Sequence, residues 1–198
     1  MNTMEAKPTK RRPALSPEQW FEAAQEILVA EGMEAIRIDR LCQTLDVTKG
    51  SFYWHFTNRA AFLAAFLHHW RDGATLSVIE NLSGQGLDAG TRLQTLLTLP
   101  QRPRAPAAAL VEQSIRSWAR QDQQAQDALN DVDQIRQSFI QHMLEELGFA
   151  PAEAIERARM AYAFMLGDAI LSRGETDTVE RPMQDALLAL FTRPLQPK

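Results

Sequence analysis

Residues 38–56 read IDRLCQTLDVTKGSFYWHF. Leu41, Cys42 and Leu45 fall on one side of a short helix beginning near Ile38, and Thr48 stands three residues beyond it as an N-cap for a second helix. Two short helices with a tight turn between them predict a helix-turn-helix. The second helix is chemically unusual. Lys49 puts a cation at its start, which the helix dipole disfavours and a phosphate would offset. Gly50 and Ser51 are small enough to let backbone approach a DNA edge. Phe52 and Phe56, four residues apart, share an inward face. Lys49, Ser51, Tyr53, Trp54 and His55 are left facing outward, with side chains suited to phosphate oxygens and base edges. For Trp54 a place in the core remains the alternative, because aromatics on short helices often pack.

Outward from this stretch the chain reads as helix throughout. Ser16-Pro17-Glu18-Gln19 opens a first helix with a cap, a proline at its first position and a capping box. Trp20, Ala24, Ile27 and Leu28 follow at helical spacing, and Gly32 stops it. Thr57 or Asn58 caps a long helix through Phe62, Phe66 and Trp70 into Leu82. Ser83-Gly84-Gln85-Gly86 reads as a loop. A helix from Asp88 stops before Pro100, and the proline-rich 101–106 segment reads as a turn. The 3.6-residue period returns at Leu110/Val111, Ile115 and Trp118. It continues from Ala125 to Leu147 ahead of Gly148, from Pro151 to Ala169 ahead of Gly174, and from Met183 to Phe191 ahead of Pro194. No segment reads as a strand. The expectation is an all-α fold of about nine helices, with an N-terminal three-helix domain over 16–66 and a second helical domain over 67–198.

Composition narrows the function classes. Residues 1–72 balance nine Lys/Arg against nine Asp/Glu, so the net charge of −4 lies wholly beyond residue 72. Lys7, Lys10, Arg11 and Arg12 make residues 1–15 a flexible basic arm, which either reaches an adjacent DNA groove or is simply solvated. The single cysteine, Cys42, permits no intrachain disulfide and reads as a small buried hydrophobe rather than a redox sensor. No secretory h-region or spanning apolar run is present, so a cytoplasmic protein without membrane association is expected. His68 and His69 are adjacent and point apart on a helix, so no metal is assigned, and no cofactor. No nucleophile–base pair stands out, so the chain is not read as an enzyme.

The chain resembles the tetracycline-repressor (TetR) family of bacterial regulators over about Phe21 to Phe66. The resemblance rests on Ala30-Glu31-Gly32, Val47-Thr48-Lys49-Gly50-Ser51, the aromatic run Phe52-Tyr53-Trp54-His55-Phe56, and Asn58-Arg59. It implies that Lys49, Gly50, Ser51, Tyr53, His55 and Arg59 face DNA. It also implies a variable C-terminal ligand domain and a dimer built from the last two helices. Two positions depart from the family pattern. Asp46 stands where glycine is usual, at a turn that needs a left-handed backbone, which Asp tolerates better than most residues. Arg37 stands where a Thr or Ser cap is usual, and a phosphate is its expected partner instead.

The expected DNA-binding set is therefore Arg37, Thr48, Lys49, Gly50, Ser51, Tyr53, Trp54, His55 and Arg59. Trp118, Phe139, His142, Met143, Tyr162, Met165 and Asp168 form the candidate ligand pocket, with plain helical core as the alternative for each. The expected function is a homodimeric DNA-binding transcription regulator, by family default a repressor. It would grip a palindromic double-stranded operator with recognition helices roughly 34–36 Å apart and leave it when a small-molecule effector binds. A dimeric DNA-binding protein without effector, and an activator, are the alternatives. An enzyme with a fused helical domain and a protein-interaction module are the rivals from other classes.

Overall fold

The computed structural model describes residues 15–102, 105–171 and 181–193, with side chains from residue 185 onward in the last segment. The basic arm and the Gly174 and Pro194 stops lie outside these residues. Among those described, every regular element is helical: α1 Pro17–Glu31, α2 Ile38–Leu45, α3 Lys49–His55, α4 Arg59–Arg71, α5 Ser77–Gly84, α6 Ala89–Leu97, α7 Ala105–Ala119, α8 Gln123–Glu146, α9 Pro151–Leu171 and α10 Arg181–Thr192. Short 3-10 turns precede α2 and follow α6.

Local chemistry accounts for most boundaries. Gln19 Oε1 accepts the Ser16 N–H at 3.0 Å, one arm of the expected capping box, and Leu15 packs half-buried just ahead of the cap. Gly32 ends α1 at φ +84° and Gly148 follows α8 at φ +94°, both left-handed positions that favour glycine. Asn58, Asp88 and Asp122 each accept a backbone N–H three residues on, at 2.9, 3.0 and 2.9 Å. Asp46 is the one non-glycine residue with positive φ among those described, in the αL region at φ 52°, ψ 51°, so the expected left-handed turn forms without glycine.

The long helix expected from Asn58 to Leu82 is not regular. A π-turn over Asp72–Leu76 joins α4 to α5, so one rod carries an extra residue in its middle. If that rod is taken as one element, the expected helix count stands among the described residues.

Two apolar clusters build the interior. The first joins Trp20, Phe21, Ile27, Leu28, Phe52, Phe62 and Phe66 to Ile115, Trp118, Leu129 and Val132, so α1–α4 share one core with α7 and the first half of α8. The second holds Leu82, Leu93, Leu97, Ile140, Met143, Leu144, Ala158, Ala161, Tyr162 and Phe191. Arg157 ties the last two helices together. It is 4 % exposed, donates to the Phe191 and Arg193 carbonyls at 2.8 and 2.7 Å, pairs with Glu153 and lies over the Phe149 ring. Its guanidinium thus satisfies carbonyls that the end of α10 leaves open.

Candidate nucleic-acid interface

The recognition helix is held by aromatic packing on its inner face. Phe52 is fully buried, with its ring 5.4 Å from Trp20, 5.6 Å from Phe62 and 5.4 Å from Phe56. Offset and edge-on contacts of this kind fix ring orientation, and so the rotation of α3 about its axis. With Phe52 and Phe56 inward, Tyr53 and Trp54 must point out. They are 55 % and 80 % exposed, so the core alternative for Trp54 does not hold. Lys49 and Gly50 are also exposed, while Ser51 and His55 are half-buried at the edges of the same face.

Gly50 is informative because the protein does not need it. A Cβ there would meet Thr48 Oγ1 at 3.6 Å, an ordinary contact, and the backbone is not left-handed. The small residue leaves room on the outer face of α3 rather than inside the fold.

Several expected roles change in the structure. Thr48 occupies the N-cap position of α3 at φ −85°, ψ 159°, but its side chain makes no capping bond. The turn is held by Ser51 N–H to the Thr48 carbonyl at 3.0 Å, and Thr48 is exposed. Lys49 is paired with Asp39 of α2 at 2.6 Å, and this ion pair raises its pKa. Arg37 likewise leaves its helix uncapped. Its Nε donates to the Glu34 carbonyl at 3.2 Å, and the side chain is exposed beside the start of α2.

Arg59 turns inward from the start of α4. Its Nε donates to the Ile36 carbonyl at 2.6 Å and a terminal nitrogen reaches the Met33 carbonyl at 3.4 Å. It therefore braces the α1–α2 connection against α4. Asp39, which sets the environment of Lys49, was not evident from the sequence because its partner lies on the next helix.

The candidate pocket residues are brought together only in part: Tyr162 and three others share one cluster. Trp118 belongs to the first cluster, whereas Phe139, Met143 and Met165 belong to the second. His142 is exposed beside Glu145, and Asp168 accepts from Gln101 Nε2 at 2.9 Å. Tyr162 donates to Asp133 Oδ1 at 2.6 Å. An open groove of ≈ 290 Å³ runs between α8 and α9, lined by Asn130, Asp133, Gln134, Gln137 and Ser138 among others, and none of the candidate pocket residues lines it. His68 and His69 diverge as expected: His68 bonds Asp72, while His69 stacks on Phe21. Cys42 is buried, and burial pushes its thiol pKa up. No described helix is long and apolar enough to cross a membrane.

The central helices also contain a charged cluster of which the sequence-based pocket included Tyr162 alone. Glu112 and Arg116 on α7, Asp133 and Arg136 on α8, and Tyr162 on α9 bond one another. One sequence signal for it exists. Arg136 lies midway between Val132 and Ile140 in the apolar stripe of α8, where a charge needs a buried partner.

Comparison with known proteins bears on the same helices. Residues 21–66 match the family described as bacterial regulatory proteins, tetR family. Over 63 residues the chain is 35% identical to TtgW of Pseudomonas putida, an HTH-type transcriptional regulator, a match covering 32% of this chain and 42% of that protein. The chain therefore matches less than half the length of that relative. GusR of Salmonella enterica superposes with a TM-score of 0.71 at 14% identity, covering 93% of this chain and 96% of that one. FadR of Bacillus subtilis, solved with stearoyl-CoA, superposes with a TM-score of 0.68 at 14% identity, covering 91% of this chain and 100% of that one. The structural likenesses establish the shared fold, and the motif match covers α1 to α4, the helices that hold the exposed face of α3. Over residues 21–66 the chain is therefore similar to the tetR family of bacterial regulatory proteins, and over most of its length it shares a fold with these solved structures.

Proposed function

We propose that the chain is a homodimeric transcription regulator that binds a palindromic DNA operator through α3, acts as a repressor in the cytoplasm, and is released by a small molecule. The observation that carries the DNA part is the division of α3. Phe52 is fully buried while the neighbouring Tyr53 and Trp54 stand in water beside Lys49 and Gly50. Solvating two large aromatics on a two-turn helix is unfavourable in isolation, and a groove supplies base edges and methyl groups for them.

Dimerisation is supported by apolar side chains left exposed on the last two helices. Ile155, Met160, Ile170 and Leu171 of α9 and Leu190 of α10 are all at least half exposed. Exposed apolar side chains are what a twofold interface buries. Two α3 helices about one DNA turn apart, roughly 34–36 Å, would then read the two half-sites.

Release by a ligand rests on the family and on the neighbour solved with stearoyl-CoA. A second reading, a dimeric DNA-binding protein that needs no effector, is favoured by the groove between α8 and α9, which is open and lined by none of the candidate pocket residues. The test is a footprint of the purified full chain on the intergenic DNA beside its own gene, over a salt series, with and without candidate small molecules. A protected palindrome whose affinity falls steeply with salt is expected. Absence of salt-dependent binding would remove the DNA reading, and protection indifferent to every ligand would favour the effector-free form.

A further inference from the structure

The charged cluster sits at a boundary. On α8, Ala125, Leu129 and Val132 belong to the first apolar cluster, and Ile140, Met143 and Leu144 belong to the second. Arg136 lies between them. The α4–α5 rod divides at the same level: Phe62, Phe66 and Trp70 pack in the first cluster and Leu82 in the second, with the π-turn between. A layer of ions therefore separates a core that holds the recognition helix from a core that does not.

Arg136 spans this layer. Its Nε donates to Thr75 Oγ1 at 3.0 Å and one terminal nitrogen donates to the Ala74 carbonyl at 3.2 Å, both within the π-turn. The other terminal nitrogen donates to both Glu112 carboxylate oxygens at 3.0 Å and to Tyr162 Oη at 3.2 Å. Thr75 is almost fully buried, so its hydroxyl has no water to replace this partner. Arg116 is the contrast. It binds Glu112, Asp133 and Tyr162 in the same cluster, and none of its hydrogen bonds reaches the rod.

A π-turn holds one residue more than an α-turn, so its persistence decides how α4 is rotated relative to α5. Any change in that rotation moves α3, which packs against α4 through Phe52, Phe56 and Phe62. We infer that Arg136 is a positioning residue for DNA recognition, pinning the π-turn at Ala74–Thr75 and thereby setting the angle at which α4 presents α3. The inference rests on the DNA-binding reading for its function, and on the geometry alone for the pin.

The test compares Arg136→Gln with Arg116→Gln in the full chain. Each removes one guanidinium from the same cluster, and only the first removes the pin. Arg136→Gln is expected to weaken binding to the footprinted DNA by about tenfold, within the usual span of site-to-site coupling. Arg116→Gln is expected to lower the melting temperature with DNA affinity unchanged. Hydrogen exchange should accelerate at residues 72–84 in Arg136→Gln and stay at the wild-type rate there in Arg116→Gln. If Arg136→Gln does not fold, Thr75→Val removes the Nε partner at similar shape and should shift affinity and exchange in the same direction by less. Parallel losses of affinity in the two arginine variants would overturn the inference, and so would wild-type exchange at 72–84 in the variant lacking the pin. If the wild-type chain binds no DNA, the proposed function fails, and the exchange comparison still decides the pin.

Discussion

Lys49 at the start of α3 is held by Asp39 at the start of α2, at 2.6 Å, with both side chains largely in water. The pair places a cation where the helix dipole opposes it and supplies an anion to offset the cost. A phosphate that takes Lys49 must displace Asp39 or share the ammonium with it. Asp39→Asn should therefore tighten DNA binding, and Lys49→Gln should weaken it and lower the salt slope by about 1. Fluorescence anisotropy over a salt series reads both, and a slope unchanged in Lys49→Gln would show that this lysine meets no phosphate.

Gly50 offers a separation of stability from function. Alanine fits sterically and helix propensity favours it by about 1 kcal/mol over glycine. Gly50→Ala should raise the melting temperature while weakening DNA binding, because the added methyl stands on the outward face. An alanine variant that binds as tightly as the wild type would place the DNA backbone farther away.

The two sides of α3 should respond oppositely to truncation. Phe52→Ala empties a fully buried site among four other rings and should cost about 3–5 kcal/mol in urea unfolding. Trp54→Ala removes a side chain that is 80 % exposed, so stability should move by less than about 0.5 kcal/mol. Its effect should fall on DNA affinity instead.

Arg157 predicts a local response in the last helix. Replacing this buried cation with Met removes its bonds to the Phe191 and Arg193 carbonyls and leaves Glu153 without the guanidinium. Arg157→Met should lower stability by about 3 kcal/mol, the low end for breaking a buried pair, with faster hydrogen exchange across 185–193. Exchange unchanged there would mean that α10 is held by Phe191 and its apolar neighbours alone.

Cys42 is the chain's single cysteine, so thiol labelling reports one site. Burial raises its pKa, which lowers the thiolate fraction below that of a free thiol at neutral pH. Labelling by a thiol reagent should be slow at pH 7–8 and become fast only in denaturant. Rapid labelling of the native protein would show that the α2 face opens.

Features that depend on neighbours three or four residues apart are legible in the sequence. The caps at Ser16 and Asn58, the stop at Gly32, the left-handed turn at Asp46 and the inward pair Phe52 and Phe56 all belong to this class. Each is settled by backbone valence, side-chain reach or helical periodicity, which act within a single turn. Thr48 shows the limit of that reasoning: the residue occupies the cap position, yet its hydroxyl makes no capping bond.

Thr48 to Phe56 alone determined which helix is presented and which of its residues turn inward. Only the tertiary structure decided what the charged residues around it do. Lys49 meets Asp39 of another helix, Arg59 braces the Ile36 carbonyl 23 residues away, and Arg136 reaches Thr75 across 61 residues. Charged side chains are long, and several partners are within reach of each before the helices pack. Packing of α4 against α8 brings Arg136 to the π-turn, and the cost of burying a guanidinium unpaired then selects its bonds.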